Sequence, residues 1–282
     1  MQRGKKMNRK RWTALAIAAA LFIISVLVNA VGILLSDKSE TWSKNWLSLM
    51  EDSFSEEVIE DGDPLKKIVV LEVNGVIEDT GEAETFFSSS FYNHQAFLKM
   101  IKQVKEDDSV KAIVLRINSP GGGVVESAEV HNQLLKLKKE TKKPIYVSMG
   151  AMAASGGYYI ATAGDKLFAS PETITGSIGV IMQSINYEGL AKKYGVELVT
   201  IKSGPYKDIM NPARKMTDAE QEILQRLINQ SYEGFVDVIV EGRKLSEEAV
   251  RKLADGRIYD GRQAKALQLI DEFGYLDDTI AA

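Results

Sequence analysis

Residues 110–123 read VKAIVLRINSPGGG. The first eight are rich in β-branched and aliphatic side chains, the reading of a buried strand. Asn-Ser-Pro and three glycines break the run. Residues 124–140 then place Val130, Leu134, Leu135 and Leu137 on one face of an amphipathic helix. Strand, glycine loop and helix together predict a βα unit, and similar units lie on both sides. Upstream, 67–73 (KIVVLEV) is a strand ending near Asn74-Gly75, and 93–106 has helical spacing through Phe97, Ile101 and Val104. Downstream, 144–149 (PIYVSM) is a third strand, followed by the small-residue segment 150–157 and a helix over 158–163. Short strands are expected at 166–169 and 177–183, a helix at 187–194 and a strand at 196–201 (VELVTI). The longest helix, 217–241, opens on Thr217 with Glu220 three residues on, the pattern of a capping box. Helices over 246–253 and 261–267 precede an acidic tail. This alternation predicts an α/β fold with a parallel sheet, its chemistry in the loops after the strand C-termini.

The 282 residues include no cysteine and only two histidines, which removes disulfides, thiolate nucleophiles and Cys- or His-rich metal centres. No metal or cofactor is expected. Charge is unevenly placed. Residues 1–11 carry Arg3, Lys5, Lys6, Arg9, Lys10 and Arg11 and no acid, leaving 29 basic and 39 acidic residues for the rest. So acidic a body is a poor partner for nucleic acid. Residues 12–35 (WTALAIAAALFIISVLVNAVGILL) contain no charge. As a helix they would span ~36 Å, enough to cross a ~30 Å hydrocarbon core. The run exceeds the apolar part of a cleaved signal peptide, and Asn29-Ala30-Val31 is a poor cleavage site. The expected organisation is a basic cytoplasmic leader (1–11), a transmembrane helix (12–35), an acidic tether (36–66) with a short amphipathic helix, and a globular domain (67–282) on the far side of the membrane.

Within 150–157 (GAMAASGG), Ala153-x-Ser155-x-Gly157 differs by one residue from the Gly-x-Ser-x-Gly nucleophile elbow. Small neighbours leave the Ser155 hydroxyl reachable, and the N–H of Gly156 can face an oxyanion. Tight helix packing would select the same residues. Loop 118–123 permits close backbone approach and anion-binding N–H groups. It is no Walker loop, because no Gly-Lys-Ser/Thr follows, and a plain turn reads alike. A nucleophilic serine also needs a base. His94 and His131 both precede Ser155, against the order of an α/β-hydrolase, and His131 reads as a structural or surface residue. Lysine remains. With a reference pKa of ~10.4 it must be desolvated to act as a base. Among Lys166, Lys192, Lys193, Lys202 and Lys207, the last two are best placed, after the predicted strand 196–201, and spacing does not choose between them. Asp208, next to Lys207, would hold its proton on unless turned away.

From 67 to about 277 the chain resembles the signal peptide peptidase A family of membrane-anchored serine peptidases, of the short Gram-positive type. NSPGGG (118–123), GAMAASGGYYIATAGD (150–165), TGSIGV (175–180), KSGPYKDIMNP (202–212) and ADGRIYDGRQA (254–264) match in order. The resemblance implies a Clp-protease/crotonase-like fold and a Ser–Lys dyad, with Ser155 as nucleophile and Lys207 as base. It also implies Ser177 as the residue orienting the lysine, and the N–H groups of Gly122 and Gly156 as oxyanion donors. Substrates would be residual signal peptides and other membrane-associated peptides. The assembly would be a homo-oligomer, an octamer whose sites combine serine and lysine from adjoining protomers. Such proteins usually run further than Ala282. Two other classes share parts of the pattern: a crotonase-like acyl-CoA enzyme using the same oxyanion loops, and a catalytically silent membrane scaffold.

Overall fold

In the computed structural model, which describes residues 56–80 and 92–282, strand and helix alternate as the sequence predicts. β1 (Lys67–Asn74), α1 (His94–Glu106), β2 (Val110–Ser119), α2 (Val124–Thr141), β3 (Ile145–Ala154) and α3 (Gly156–Ala161) build the first half. β4 (Lys166–Ala169), β5 (Ile174–Gly176), α4 (Glu188–Lys193), α5 (Asp218–Arg243), α6 (Glu247–Leu253), β6 (Ile258–Tyr259), α7 (Gly261–Ala266), β7 (Glu272–Phe273) and α8 (Leu276–Ala281) follow. The segment 12–35 and most of the tether lie outside the described residues. Among the described residues no helix is long and apolar enough to cross a membrane. Residues 61–282 belong to one compact unit.

The sheet runs β1-β2-β3-β4-β7, every pairing parallel. Parallel pairing follows from the helical crossovers, which return the chain to the same end of the sheet each time. Such a sheet is covered on both faces. Accordingly Ile113, Val114 and Leu115 on β2 are buried in succession, not alternately. Each fully buried aliphatic side chain of this kind contributes ~1.5–3 kcal/mol. The capping box of α5 forms as predicted, with Thr217 Oγ1 accepting the Glu220 N–H at 3.3 Å and Glu220 accepting the Thr217 N–H at 2.9 Å. The C-terminal end of α5 is tied to the sheet by a bidentate pair, Arg243 to Asp271 at 2.7 and 2.9 Å.

β3 is the element that makes the site. Its first half pairs with β4 and its second half leaves β4 to pair with β5, Met152–Ala154 against Ile174–Gly176. Between Ile117 and Ser119 its register against β2 slips, two β2 residues spanning four of β3. The strand therefore does not stop at Met149, as its apolar pattern suggests, but runs on through the alanines. Small side chains suit this stretch because β2 and β5 both crowd it.

Two predicted strands are absent. β5 ends at Gly176, and 177–183 is irregular: Ser177 takes a positive φ of 50° and turns the chain out of the ladder. Residues 196–201 also have no ladder partner, with Val199 79% and Ile201 98% exposed. Their β-branched pattern is real, but a strand needs a neighbour, and within one chain none of the described residues supplies it.

Candidate active site

Ser155 is the hinge between β3 and α3. Its backbone sits at φ 52°, ψ −122°, a conformation natural to glycine and costing about 1–3 kcal/mol for other residues. Three hydrogen bonds hold it there. The Ser155 N–H donates to Gly176 O at 2.8 Å, its carbonyl accepts from Tyr159 N at 2.9 Å, and two residues earlier in β3 Thr175 Oγ1 donates to Ala153 O at 2.6 Å. The strand is thus forced into a sharp turn that lifts the serine side chain off the sheet end.

Loop 118–123 lies directly against this elbow. A Cβ on Gly121, at φ 105°, would come within 2.6 Å of Gly156 N and 2.7 Å of Ser155 Cβ, so only glycine admits the approach. The loop is pinned from behind: Ile77 N donates to Gly121 O at 2.9 Å and Gly123 N to Ile77 O at 2.8 Å, around a bridge pairing Ile77 with Gly122. Ser119 Oγ accepts Gly121 N at 3.0 Å, and Asn118 Oδ1 accepts Met152 N at 3.3 Å. The Gly122 nitrogen lies close to Gly156, 3.1 Å from the position a Cβ there would take. The N–H groups of Gly122 and Gly156 donate to nothing among the described residues. Two unpaired amides beside a raised serine are what an oxyanion requires.

Ser177 stands at the end of the neighbouring strand, paired through Ala154 and Gly176 with the residue before Ser155. Its N–H donates to Arg257 O at 2.8 Å, and Gly256 N donates to Ile178 O at 3.0 Å. The Tyr259 ring fills the space a side chain at Gly176 would need, 2.5 Å from that Cβ position. The segment 254–264, one of the matching motifs in the sequence, therefore braces the serine pair. Its short antiparallel β6 carries no periodicity long enough to announce this.

Lys207 lies on the segment 181–207, whose side chains are largely exposed, and its side chain makes no hydrogen bond or ion pair among the described residues. Asp208 is turned away from it, bound to Lys202 Nζ at 2.5 Å and to Arg214 Nε and Nη2 at 2.9 and 2.8 Å. Arg214 also grips the buried Glu220, Nη1 to Oε2 at 2.8 Å. This clamp separates the two candidate lysines. Lys202 has its ammonium committed to a carboxylate, whereas Lys207 is left free beside it.

The same clamp responds to acid. Hydrogen bonds from Arg214 and Lys202 hold the Asp208 carboxyl well below the usual range, and Arg214 with the Thr217 N–H holds Glu220 down at about 2. A depressed carboxylate stabilises the fold above its unfolded value, and that contribution disappears as pH falls through the folded value. Glu220→Gln will therefore lower Tm at neutral pH, and its deficit will shrink as pH drops from about 4.5 toward 2. Calorimetric scans at a series of pH values check this, and a deficit constant across the range would refute it.

Neither histidine joins the site. His94 is buried, Nδ1 to Tyr92 Oη at 2.7 Å and Nε2 to Glu129 Oε2 at 3.0 Å. His131 is buried against the edge of the Tyr159 ring, and desolvation with nearby Lys138 pushes its pKa down to about 4. It is a neutral core side chain at pH 7.

A parallel sheet with a serine elbow against a glycine-rich loop defines a serine hydrolase of the Clp-protease kind. In agreement, residues 82–176 match the Clp protease family. Residues 137–282 match Peptidase family S49, and the chain belongs to that family and is a serine peptidase. It is 44% identical over 97% of its length to "Putative signal peptide peptidase SppA" of Enterococcus faecium, covering 80% of that protein. It is 36% identical over 76% of its length to Protease 4 of Salmonella typhi, covering 34% of that protein. Over 66% of its length it is 34% identical to the chloroplastic serine protease SPPA of Arabidopsis thaliana, covering 28% of it.

Proposed function

We propose that the chain is a membrane-anchored serine endopeptidase with a Ser155–Lys207 dyad. The observation that carries this is the strained Ser155 elbow packed against two unpaired glycine amides. Lys207 takes the Ser155 proton and the hydroxyl oxygen attacks the peptide carbonyl. The oxyanion rests on the Gly122 and Gly156 amides while Ser177 orients the lysine. Lys207 then protonates the leaving amine, and water hydrolyses the acyl-enzyme. A peptidase family, not an acyl-CoA one, fits this use of the loops.

A site split between protomers accounts for the free lysine. Segment 181–207 exposes Ile181 at 79%, Ile185 at 82% and Ile201 at 98%, more apolar surface than a solvated arm keeps. A neighbouring copy covering it, in the octamer the resemblance implies, would also exclude the water that keeps a lysine charged. The uncharged segment 12–35 supports a single-pass anchor with the leader 1–11 in the cytoplasm and the peptidase domain 67–282 outside the cell membrane. Residual signal peptides and other membrane-associated peptides are the substrates such a placement serves, in line with the name of the enterococcal relative.

Mixing tests the split site. Ser155→Ala and Lys207→Ala proteins, each inactive, are expected to regain peptide hydrolysis when dissociated and reassembled together. Silence of the mixture, with assembly verified by mass, would refute shared sites.

A further inference from the structure

Ser127, in the first turn of α2, has the one side-chain polar atom among the described residues that is both buried and without a hydrogen-bond partner. The residue is 2% exposed. Other buried hydroxyls are satisfied: Ser119 with Gly121, Thr175 with Ala153, Thr173 with Gly150. An idle buried hydroxyl forfeits its hydration for nothing, and alanine would fit the same space without that penalty.

Its location is specific. A Cβ on Gly156 would lie 2.4 Å from Ser127 Oγ and 3.1 Å from Gly122 N. The hydroxyl therefore lies against Gly156, close to the two amides described above. Its own N–H is spent on Gly123 O at 3.1 Å. The unpaired N–H groups beside it, on Gly122 and Gly156, are donors, and in the resting site the hydroxyl hydrogen meets no acceptor. Negative charge arrives there only during the reaction.

We propose that Ser127 is a positioning residue of the oxyanion site, whose hydroxyl dipole turns toward the charge developing on the substrate carbonyl oxygen and steadies the Gly122 and Gly156 amides that hold it. Sealed from solvent, it acts through the amides and not by touching substrate. A dipole in a dry site needs no reorganisation of water when the charge appears. The inference rests on the reading of Gly122 and Gly156 as oxyanion donors.

The test uses the full chain in detergent, with an internally quenched peptide as substrate and a peptide aldehyde, which forms a tetrahedral adduct with a serine, as probe. Ser127→Ala is expected to lower kcat about tenfold, well short of losing a direct donor. KM should stay within about twofold, the aldehyde inhibition constant should rise by about the same factor as kcat falls, and Tm should hold or rise. Ser127→Cys, which keeps the shape but has a weak S–H donor, should follow the alanine variant. Unchanged kcat in Ser127→Ala overturns the proposal, as does a kcat loss that comes with lower Tm and unaltered aldehyde affinity. Ser155→Ala is measured in parallel: full activity there would overturn the site itself, whereas an inactive Ser155→Ala beside a fully active Ser127→Ala overturns only the role of Ser127.

Discussion

Ser155→Ala will reduce peptide hydrolysis by at least about 10⁴-fold, because removal of the proposed nucleophile leaves only binding and the proposed oxyanion amides to act. Stability should move the other way in the companion variant Ser155→Gly. The φ 52°, ψ −122° conformation costs a side-chain-bearing residue about 1–3 kcal/mol and glycine almost nothing. Ser155→Gly should therefore raise Tm by several degrees while abolishing turnover. Strain retained at the nucleophile is the signature of a residue kept for chemistry. A Ser155→Gly protein less stable than the parent would show that the elbow is held by the serine side chain and not in spite of it. Activity and thermal unfolding measured on the same preparations decide both points.

Lys207→Ala will lower kcat by about 10³-fold or more, and Lys202→Ala will not. The two lysines are five residues apart in one loop, and the sequence offered both as the base. The structure distinguishes them by what Asp208 does. It binds Lys202 at 2.5 Å and Arg214 at 2.8 Å, so Lys202 cannot offer a lone pair to serine without breaking an ion pair. Lys202→Ala should instead loosen the loop, raising KM modestly with kcat within a few-fold. Steady-state kinetics on both variants separate the outcomes. A Lys202→Ala loss equal to that of Lys207→Ala would move the base to Lys202, and a Lys207→Ala enzyme of full activity would remove the dyad.

The strands were readable wherever a run was long enough to show its pattern. Residues 67–73, 110–117 and 144–149 became β1, β2 and the start of β3, and the capping box of Thr217 and Glu220 formed where expected. The continuation of β3 through 150–154 was not readable. Glycine and alanine carry no strand preference, and that stretch is a strand only because β5 arrives beside it. Conversely, 196–201 has the composition of a strand and is none, because no partner arrives among the described residues. The two histidines show the same limit: their distance from any catalytic order could be read directly, while the burial of His131 against Tyr159 could not.

The sequence alone therefore determined which groups exist: a serine among small residues, glycines that let backbones meet, lysines in place of cysteine and a usable histidine, and a charge-free segment of 24 residues. These are matters of composition and local period, set before the chain folds. Tertiary structure decided which of them meet. Ile77 pins the glycine loop, Tyr259 and Arg257 brace the serine pair, Asp208 engages one lysine and leaves the other free, and Ser127 is sealed close to the amides. Each of these is a contact between segments far apart in the chain or a choice between equal neighbours. Such choices rest on packing and hydrogen-bond satisfaction, which only the assembled fold can settle.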